Sequence, residues 1–404
     1  MRILKLIMIF LWMYSQILYA DDKQLTLYFD ADLSINKSSA SSILRGMQTA
    51  LSSVNNNIGG YTLKIVPLDH RGNVLRSKLN FKKAADDPSA IAVMAGVHSP
   101  PLITNRAFIN NLNLVTIVPW AAGAPITRFD EGENWVFRVS IDDAYAGEFL
   151  TNFAMLQRQC QRPVILLEST PWGDYNLKNI GQTLLQHGVS QPLVLRFGIN
   201  LHEDSANILA RQISRSEADC VILVANPIEG AIIAQALGSI DSSESIKLIS
   251  HWGISAGRFE ENVPHEIRQK LQLTFIQSCF SFMSPSLSDY GKDVLARARQ
   301  IFYPVINDAE DITSPVGFIH AHDAMLLLIE ALKHVDLAQN TQLRRQDLRE
   351  SLENLTTPVH GLIKTYQQPF SAFDKLLNVD GHEALSPQDY CMAYYDRDGN
   401  IRLL

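Results

Sequence analysis

The sequence predicts an α/β fold built from two groups of parallel strands with helices packed on both faces. Three observations support this class: short, continuously apolar segments, segments of helical periodicity between most of them, and a length of 404 residues. Continuous apolar strands separated by helices are typical of parallel sheets that are buried on both faces. Because a chain of this length exceeds the usual size of one domain, we expect two domains.

The predicted strands follow one another along most of the chain. They are residues 25–29, 61–68, 91–95, 114–118, 164–167, 193–197, 221–225, 247–250 and 273–278. The clearest helical segments between them are residues 41–51, 149–156, 177–185 and 208–213. Three helices at 290–301, 316–334 and 343–355, and a strand at 390–395, complete the prediction.

The first twenty residues are typical of an export signal. Arg2 and Lys5 precede an almost wholly apolar run over residues 6–14, and Ala20 places a small residue at the expected cleavage point. The run is too short to span a bilayer, so we expect cleavage after Ala20 and a soluble periplasmic protein. A formal net charge of −7 without a basic stripe argues against a nucleic-acid partner.

Two successive strands end in small residues that are suited to ligand binding. The strand at 91–95 runs into Gly96 and Ser99, and the strand at 114–118 ends in residues 119–123. Backbone amides and hydroxyls can approach a ligand at such turns without obstruction by side chains. Because the carboxyl ends of parallel strands meet at one edge of a sheet, the sequence predicts a binding rim there. The alternative interpretation is two ordinary strand-to-helix turns.

Short motifs occur in a characteristic order along nearly the whole chain. They are Leu25 to Asp30, Gly46-Met47, Gly96 to Ser99, Val118-Pro119 with Ala121-Ala122, Phe137-Arg138, Asp142-Asp143, Trp172-Gly173, Ala321 to Ala324, Lys364 to Tyr366 and Asp398-Gly399. In this order and spacing the chain resembles type I periplasmic solute-binding proteins, in particular those similar to the leucine/isoleucine/valine-binding proteins of ABC importers.

The resemblance implies two Rossmann-like lobes with parallel sheets, which are joined by a three-segment hinge and close over a ligand. Lobe 1 would contain residues 22–138 and 281–389. Lobe 2 would contain residues 139–280 and 390–404.

The resemblance also implies where the ligand binds. In amino-acid binders of this family, a serine and backbone amides hold the ligand carboxylate, at the positions of Ser99 and of the turn with Trp120, Ala121 and Ala122. The aromatic residue that covers the ligand corresponds to Trp172.

The sequence departs from the family where amino-acid binders place a carboxylate for the ligand's ammonium group. Trp252 stands at that position, and Ala122 replaces a hydroxyl-bearing residue of the turn. Glu229 or Asp174 can supply an acid from a neighbouring loop. A buried ammonium group without a counter-charge is costly, so a site that lacks an acid should prefer other ligands.

Three tryptophans then offer a different kind of site. Trp120, Trp172 and Trp252 can form an aromatic box for a flat ring or for a weakly hydrated cation. Alternatively, one or two of them simply pack between the lobes.

The four cysteines do not form a Cys-x-x-Cys motif, which argues against a zinc site. Cys160 and Cys220 precede strands that are parallel neighbours in the order expected for lobe 2, so we predict a disulfide between them. Two buried free thiols are the alternative. The pairing of Cys279 and Cys391 is left open.

Motifs of other protein classes are present only in part. Residues 253–257 match the Gly-x-Ser-x-Gly motif of serine hydrolases, but a helix with an apolar stripe does not follow Ser255. His320 and His322 stand two positions apart in a predicted helix and cannot bind one metal ion together, so we expect surface or capping roles. No Gly-x-Gly-x-x-Gly motif follows the first strand, which argues against a dehydrogenase. We expect no catalytic residue, no metal and no cofactor.

The sequence thus predicts a monomeric, non-enzymatic receptor for a small amino-acid-like or aromatic/cationic solute. Its expected partner is the inner-membrane permease of an ABC importer. The alternative is a periplasmic sensor subunit for a histidine kinase or chemoreceptor, since a ligand-dependent closed form serves either partner.

Overall fold

The structure is a computed structural model that describes residues 23–240 and 246–404. The predicted export signal, residues 1–20, lies outside these described residues.

The first sheet contains six strands in the spatial order β2-β3-β1-β4-β5-β6. The strands are β1 (Gln24–Ala31), β2 (Asn57–Ile58), β3 (Tyr61–Asp69), β4 (Ala90–Ala95), β5 (Val115–Val118) and β6 (Val136–Arg138). Neighbours are parallel except β2 and β3, which form a short antiparallel hairpin. Gly59 and Gly60, both at positive φ, form the tight turn of this hairpin.

The second sheet contains seven strands in the order β15-β14-β11-β10-β9-β7-β8. The strands are β7 (Pro163–Glu168), β8 (Leu193–Phe197), β9 (Cys220–Val224), β10 (Lys247–Ser250), β11 (Thr274–Ser278), β14 (Tyr390–Tyr395) and β15 (Ile401–Leu403). Strands β7 to β11 are parallel, whereas β14 and β15 add an antiparallel edge. A separate hairpin consists of β12 (Val359–His360) and β13 (Thr365–Tyr366). The predicted α/β class with parallel sheets is confirmed, and the antiparallel edge pairs are an addition to it.

Helices cover both faces of each sheet, so hydrophobic clusters lie on either side of the strands. The helices are α1 (Lys37–Ser52), α2 (Val74–Asp86), α3 (Ser99–Thr104), α4 (Arg106–Asn110), α5 (Asp143–Asn152), α6 (Pro171–Gln186), α7 (Glu203–Arg215), α8 (Pro227–Gly238), α9 (Phe259–Asn262), α10 (His265–Lys270), α11 (Asp289–Phe302), α12 (Pro315–Leu332) and α13 (Thr341–Glu353).

Helix α12 is almost wholly buried in the hydrophobic core beside the first sheet. Among the described residues it alone is long and apolar enough to cross a membrane, but 83% of it is buried inside the protein. It packs so closely on α1 that a Cβ atom at Gly46 would overlap the carbonyl oxygen of Phe318. Its apolarity is therefore explained by packing in the protein core.

Three segments of the chain run side by side between the two sheets. The amide of Arg138 at the end of β6 donates to the carbonyl of His382, and the amide of Cys279 after β11 donates to the carbonyl of Asp389. The fully buried guanidinium of Arg138 also lies 2.6 Å from the carboxylate of Glu383. These bonds join the crossing segments of the three-segment hinge into one layer.

Two disulfides are present, and both involve the second sheet. Cys160 is bonded to Cys220, with Cα atoms 5.8 Å apart, beside the neighbouring strands β7 and β9. Cys279 is bonded to Cys391, with Cα atoms 5.0 Å apart, and links the end of β11 to β14. Both bonds connect strands that are already hydrogen-bonded neighbours.

Candidate ligand-binding site

A cavity of about 440 Å³ lies where the carboxyl ends of strands from both sheets face each other. Its first wall follows β1, β3, β4 and β5 and includes Asp32, Asn36, Arg71, His98, Ser99, Trp120 and Ala122. Its second wall follows β7, β8, β9 and β10 and includes Glu168, Thr170, Trp172, Asn200, Asn226, Glu229 and Trp252. Parallel strands aim their carboxyl ends at this edge, which explains why so many separate chain segments meet here.

The cavity brings together most of the residues that the sequence singles out. Those that line it are Ser99, Trp120, Ala122, Trp172, Glu229 and Trp252. Ala121 does not line it, because its side chain packs with Val118 and Ile126 in the core behind the wall. Asp174 lies outside the cavity as well, where its 64% exposed side chain pairs with Arg196 at 2.7 Å.

The three tryptophans belong to the cavity lining and to the hydrophobic core at once. The rings of Trp120 and Trp252 meet across the two walls, with centroids 6.2 Å apart. Trp252 also packs edge-to-face on His320, and Trp172 packs in the same way on His251, each at 5.1 Å. The indole rings are therefore held by neighbouring side chains before any ligand arrives, which reduces the entropy cost of binding.

Ser99 is the first residue of α3 and is held close to the turn after β5. Its Oγ atom accepts a hydrogen bond from the amide of Gly123 at 3.1 Å. A Cβ atom at position 123 would approach the Ser99 side chain to 3.0 Å, so the glycine permits this contact. Because the Oγ atom accepts from the backbone, its own O–H group can donate to an acceptor in the cavity.

Asp32 is the buried acid of the first wall, and the protein supplies donors for its negative charge. It accepts hydrogen bonds from the Ile35 amide at 2.9 Å, from Asn36 Nδ2 at 3.0 Å and from His98 Nε2 at 3.4 Å. Burial raises the pKa of Asp32, but the bonds from His98, Ile35 and Asn36 outweigh burial and hold the pKa well below its usual range. The carboxylate is therefore ionised at neutral pH.

Glu168 and Glu229 are the acids of the second wall, and they have fewer donors. Glu168 ends β7, is 2% exposed and accepts from Asn226 Nδ2 at 2.7 Å. Glu229 lies in the first turn of α8, is 7% exposed and accepts from the amide of Asn200 at 3.0 Å. Burial, followed by the charge of Glu229, raises the pKa of Glu168 to about 7, although Asn226 opposes this shift. Sequence reasoning missed Glu168, whose signal is an acid directly after a continuous apolar strand.

The Gly-x-Ser-x-Gly segment forms part of the second wall, and its serine is buried. Ser255 is 2% exposed, and its Oγ atom donates to the carbonyl of Trp252 at 2.6 Å. Gly257 faces the first sheet: its amide donates to Ser39 Oγ and its carbonyl accepts from Ser314 Oγ, each at 2.9 Å. We call Gly257, Ser39 and Ser314 the serine latch. The motif thus positions Trp252 and connects the second wall to α1 and to the start of α12.

The expectation of surface or capping roles for His320 and His322 is wrong, because both side chains are buried in α12. The ring of His320 hydrogen-bonds the carbonyl of Val139 at 2.8 Å and Ser278 Oγ at 2.9 Å, and so joins two of the crossing segments. His322 Nδ1 lies 3.0 Å from a carboxylate oxygen of Asp323. The described residues contain no group of three histidine, cysteine or acidic side chains that could hold a metal ion.

Two mainly parallel sheets with a lined cavity between their carboxyl edges define the class of two-lobed solute-binding proteins. The model of the periplasmic binding protein family matches residues 33–368, and the chain belongs to this family. The resemblance seen in the sequence is thereby confirmed. Because this is a family of solute-binding proteins, the expectation of a non-enzymatic protein is confirmed as well.

Solved structures share the fold over nearly the whole chain. One is a type 1 periplasmic binding protein from Bordetella pertussis Tohama I, with 14% identity, a TM-score of 0.75, and 94% of this chain and 99% of that chain covered. A solute-binding protein of an ABC transporter from R. palustris, in complex with benzoate, has 16% identity, a TM-score of 0.74 and coverage of 94% and 95%. LivJ from Streptococcus pneumoniae, in complex with isoleucine, has 16% identity, a TM-score of 0.70 and coverage of 94% and 99%. A comparison with curated proteins finds no match.

Proposed function

We propose that the protein is the periplasmic substrate-binding subunit of an ABC importer and delivers a small amino-acid-like or aromatic/cationic solute to an inner-membrane permease. The supporting observation is the cavity between the two sheets, whose volume of about 440 Å³ suits a small solute. Three buried indole rings and a few convergent polar groups line it, which is the usual composition of a small-molecule site.

The proposal assigns a role to each part of the chain. After cleavage behind Ala20, lobe 1 (residues 22–138 and 281–389) carries the first wall and lobe 2 (residues 139–280 and 390–404) carries the second. The protein acts as a monomer, in which the solute favours the form with the walls closed on it. The permease then recognises this closed form.

Uptake measurements test the importer role. A thermal-shift screen first identifies a solute that raises the melting temperature of the mature protein in a concentration-dependent way. Uptake of that solute, in radiolabelled form, should fall when the gene is deleted and recover when it is restored. Unchanged uptake together with an altered kinase or chemotactic response would favour the sensor role instead. Steady chemical conversion of the solute by the purified protein would contradict both roles.

Ser99→Ala tests the role of the first wall in binding. The hydroxyl should donate to a carboxylate or carbonyl oxygen of the solute, and a hydrogen bond to a charged group contributes about 1.5–3 kcal/mol. We therefore expect the solute's Kd to rise roughly ten- to hundredfold. The melting temperature without ligand should also fall, because the buried amide of Gly123 loses its acceptor. An unchanged Kd in isothermal titration calorimetry would remove Ser99 from the binding site.

A further inference from the structure

We propose that the second wall is a cation site, in which a protonated amine of the solute binds between the carboxylates of Glu168 and Glu229. This inference rests on the proposed function and specifies the charge of the solute at one end of the cavity.

The topology of the second sheet brings the two acids to one place. Glu168 is the last residue of β7, and Glu229 lies in the first turn of α8, directly after β9. Strands β7 and β9 are parallel neighbours, so the segments that follow them leave the sheet side by side. Both side chains line the cavity and both are almost completely buried.

Among the described residues, the donors that bond this pair are neutral. Glu168 accepts from the Asn226 side-chain amide, and Glu229 accepts from the Asn200 backbone amide. Within the described residues, neither acid is paired with a lysine, arginine or histidine at salt-bridge distance. Arg71 also lines the cavity, but its side chain is 57% exposed and lies 3.3 Å from Asp69. Two buried like charges without a counter-ion are unfavourable, and a bound ammonium group would remove that cost.

The indole rings of the second wall also favour a positively charged ligand. Trp172 lies in the first turn of α6, and Trp252 follows the end of β10, so both indole rings line the same wall of the cavity as the two acids. Indole rings attract cations through the quadrupole of the ring, and the attraction increases when water is excluded. Carboxylates and indoles together therefore favour a cation and disfavour an anion such as benzoate at this wall.

The protonation state of Glu168 gives the proposed cation site a measurable consequence. Its pKa of about 7, raised first by burial and then by Glu229, means that part of the population is protonated at neutral pH. A cation favours the ionised carboxylate, so amine binding should release part of a proton. The other charged or titratable groups that line the cavity are Asp32, Arg71, His98 and Glu229.

The test uses the mature protein and pairs of solutes that differ in charge: benzylamine with benzyl alcohol, butylamine with butanol, and leucinamide with N-acetyl-leucinamide. Benzoate and leucine complete the set. At about 10 mM, at least one amine should raise the melting temperature while its neutral partner does not. In calorimetry near pH 7, the same amine should release roughly half a proton, read from the dependence of the heat on the buffer.

Variants separate the acids from the rest of the cavity. Glu168→Gln keeps the size of the side chain and its acceptor for Asn226 but removes the charge, so the Kd of the amine should rise at least about tenfold. Glu229→Gln should act in the same direction. Glu131→Gln, at an exposed position outside the cavity, should leave the Kd unchanged.

The outcomes distinguish this inference from the proposed function. If benzoate, leucine or a neutral partner stabilises the protein and no amine does, the cation site is wrong although the receptor role stands. The site is also wrong if no amine binds, or if Glu168→Gln binds the amine as well as the natural protein. If an amine binds but its uptake does not depend on the gene, the cation site stands and the importer role fails.

Discussion

Both walls of the cavity bury carboxylates, and the protein treats Asp32 on the first wall and Glu168 on the second in opposite ways. Asp32 on the first wall receives three hydrogen bonds, including one from His98, and its pKa lies below the usual range. Glu168 on the second wall receives the side-chain amide of Asn226, and burial raises its pKa to about 7. The protein thus compensates the negative charge of Asp32 with hydrogen bonds, whereas it compensates that of Glu168 much less.

This difference distinguishes a buried charge that is used within the protein from one that is available to a ligand. Asp32 uses its charge within the protein, where it fixes the turn after β1 through the amide of Ile35. The charge of Glu168 finds little compensation, and proteins retain such costs where binding requires them. Under the proposed cation site, Asp32 therefore has a mainly structural role and Glu168 a ligand-binding role.

Removal of the charge of Asp32 should have the largest effect. The folded protein lowers the pKa of this acid, so its contribution to stability is present above the ordinary pKa of 3.8 and is lost as the pH falls through the folded value. At pH 7, Asp32→Asn should reduce the free energy of unfolding by about 1.5–3 kcal/mol, as expected for hydrogen bonds to a charged group. Denaturant titration measures this change.

The matched control for Asp32→Asn is Asp86→Asn, whose side chain is 65% exposed and pairs with Lys82 on the surface. It should change the stability by less than about 0.5 kcal/mol. If the two variants lose the same amount, the first wall does not depend on the charge of Asp32.

Glu168→Gln should change stability in the opposite direction and by a smaller amount. Because folding raises the pKa of this acid from 4.5 to about 7, the folded state is penalised as the pH rises through that interval. Without ligand, the variant should be more stable than the natural protein by about 1–2 kcal/mol at pH 8, and the difference should vanish only below pH 4.5, the ordinary pKa of the acid. Thermal unfolding across this pH range, with Glu131→Gln as the control, measures it. If the variant is instead less stable at pH 8, the folded protein already compensates the charge of Glu168.

Most of the fold could be predicted because continuous apolar runs must be buried. The strands β3, β8 and β10 begin and end within one residue of the predicted segments 61–68, 193–197 and 247–250. The strands that escaped prediction, β2, β6, β12, β13 and β15, contain only two or three residues each. Strands this short show no recognisable alternation of apolar and polar residues, and tertiary contacts decide how they pair.

The candidate site could be predicted only where local sequence marks it. Ser99 and the turn with Trp120 follow apolar strands as small or aromatic residues, so their positions in the sheet can be inferred. The properties of Glu168 depend on Asn226, which is 58 residues away in sequence, and on a cavity that forms only after both sheets pack. The buried role of His320 cannot be predicted for the same reason, since its partners Val139 and Ser278 belong to distant crossing segments.

The serine latch offers the mildest test of how the two walls are brought together. The Gly257 amide, on the second wall's turn, donates to Ser39 Oγ at 2.9 Å, and Ser39 is fully buried on α1. A net hydrogen bond contributes about 0.5–1.5 kcal/mol, and this bond links the turn after the second wall to helix α1, so under the proposed closure its loss should favour the open form. Ser39→Ala should therefore raise the Kd of the bound solute roughly two- to tenfold.

Ser52→Ala is the control, because the Ser52 hydroxyl donates to the Thr49 carbonyl within α1 itself. The pH dependence of stability that Glu168 causes should be the same in Ser39→Ala as in the natural protein. The serine latch affects closure, whereas it does not change the charge of either wall. An unchanged Kd in calorimetry, or a lost pH dependence, would show that the latch does not act on closure alone.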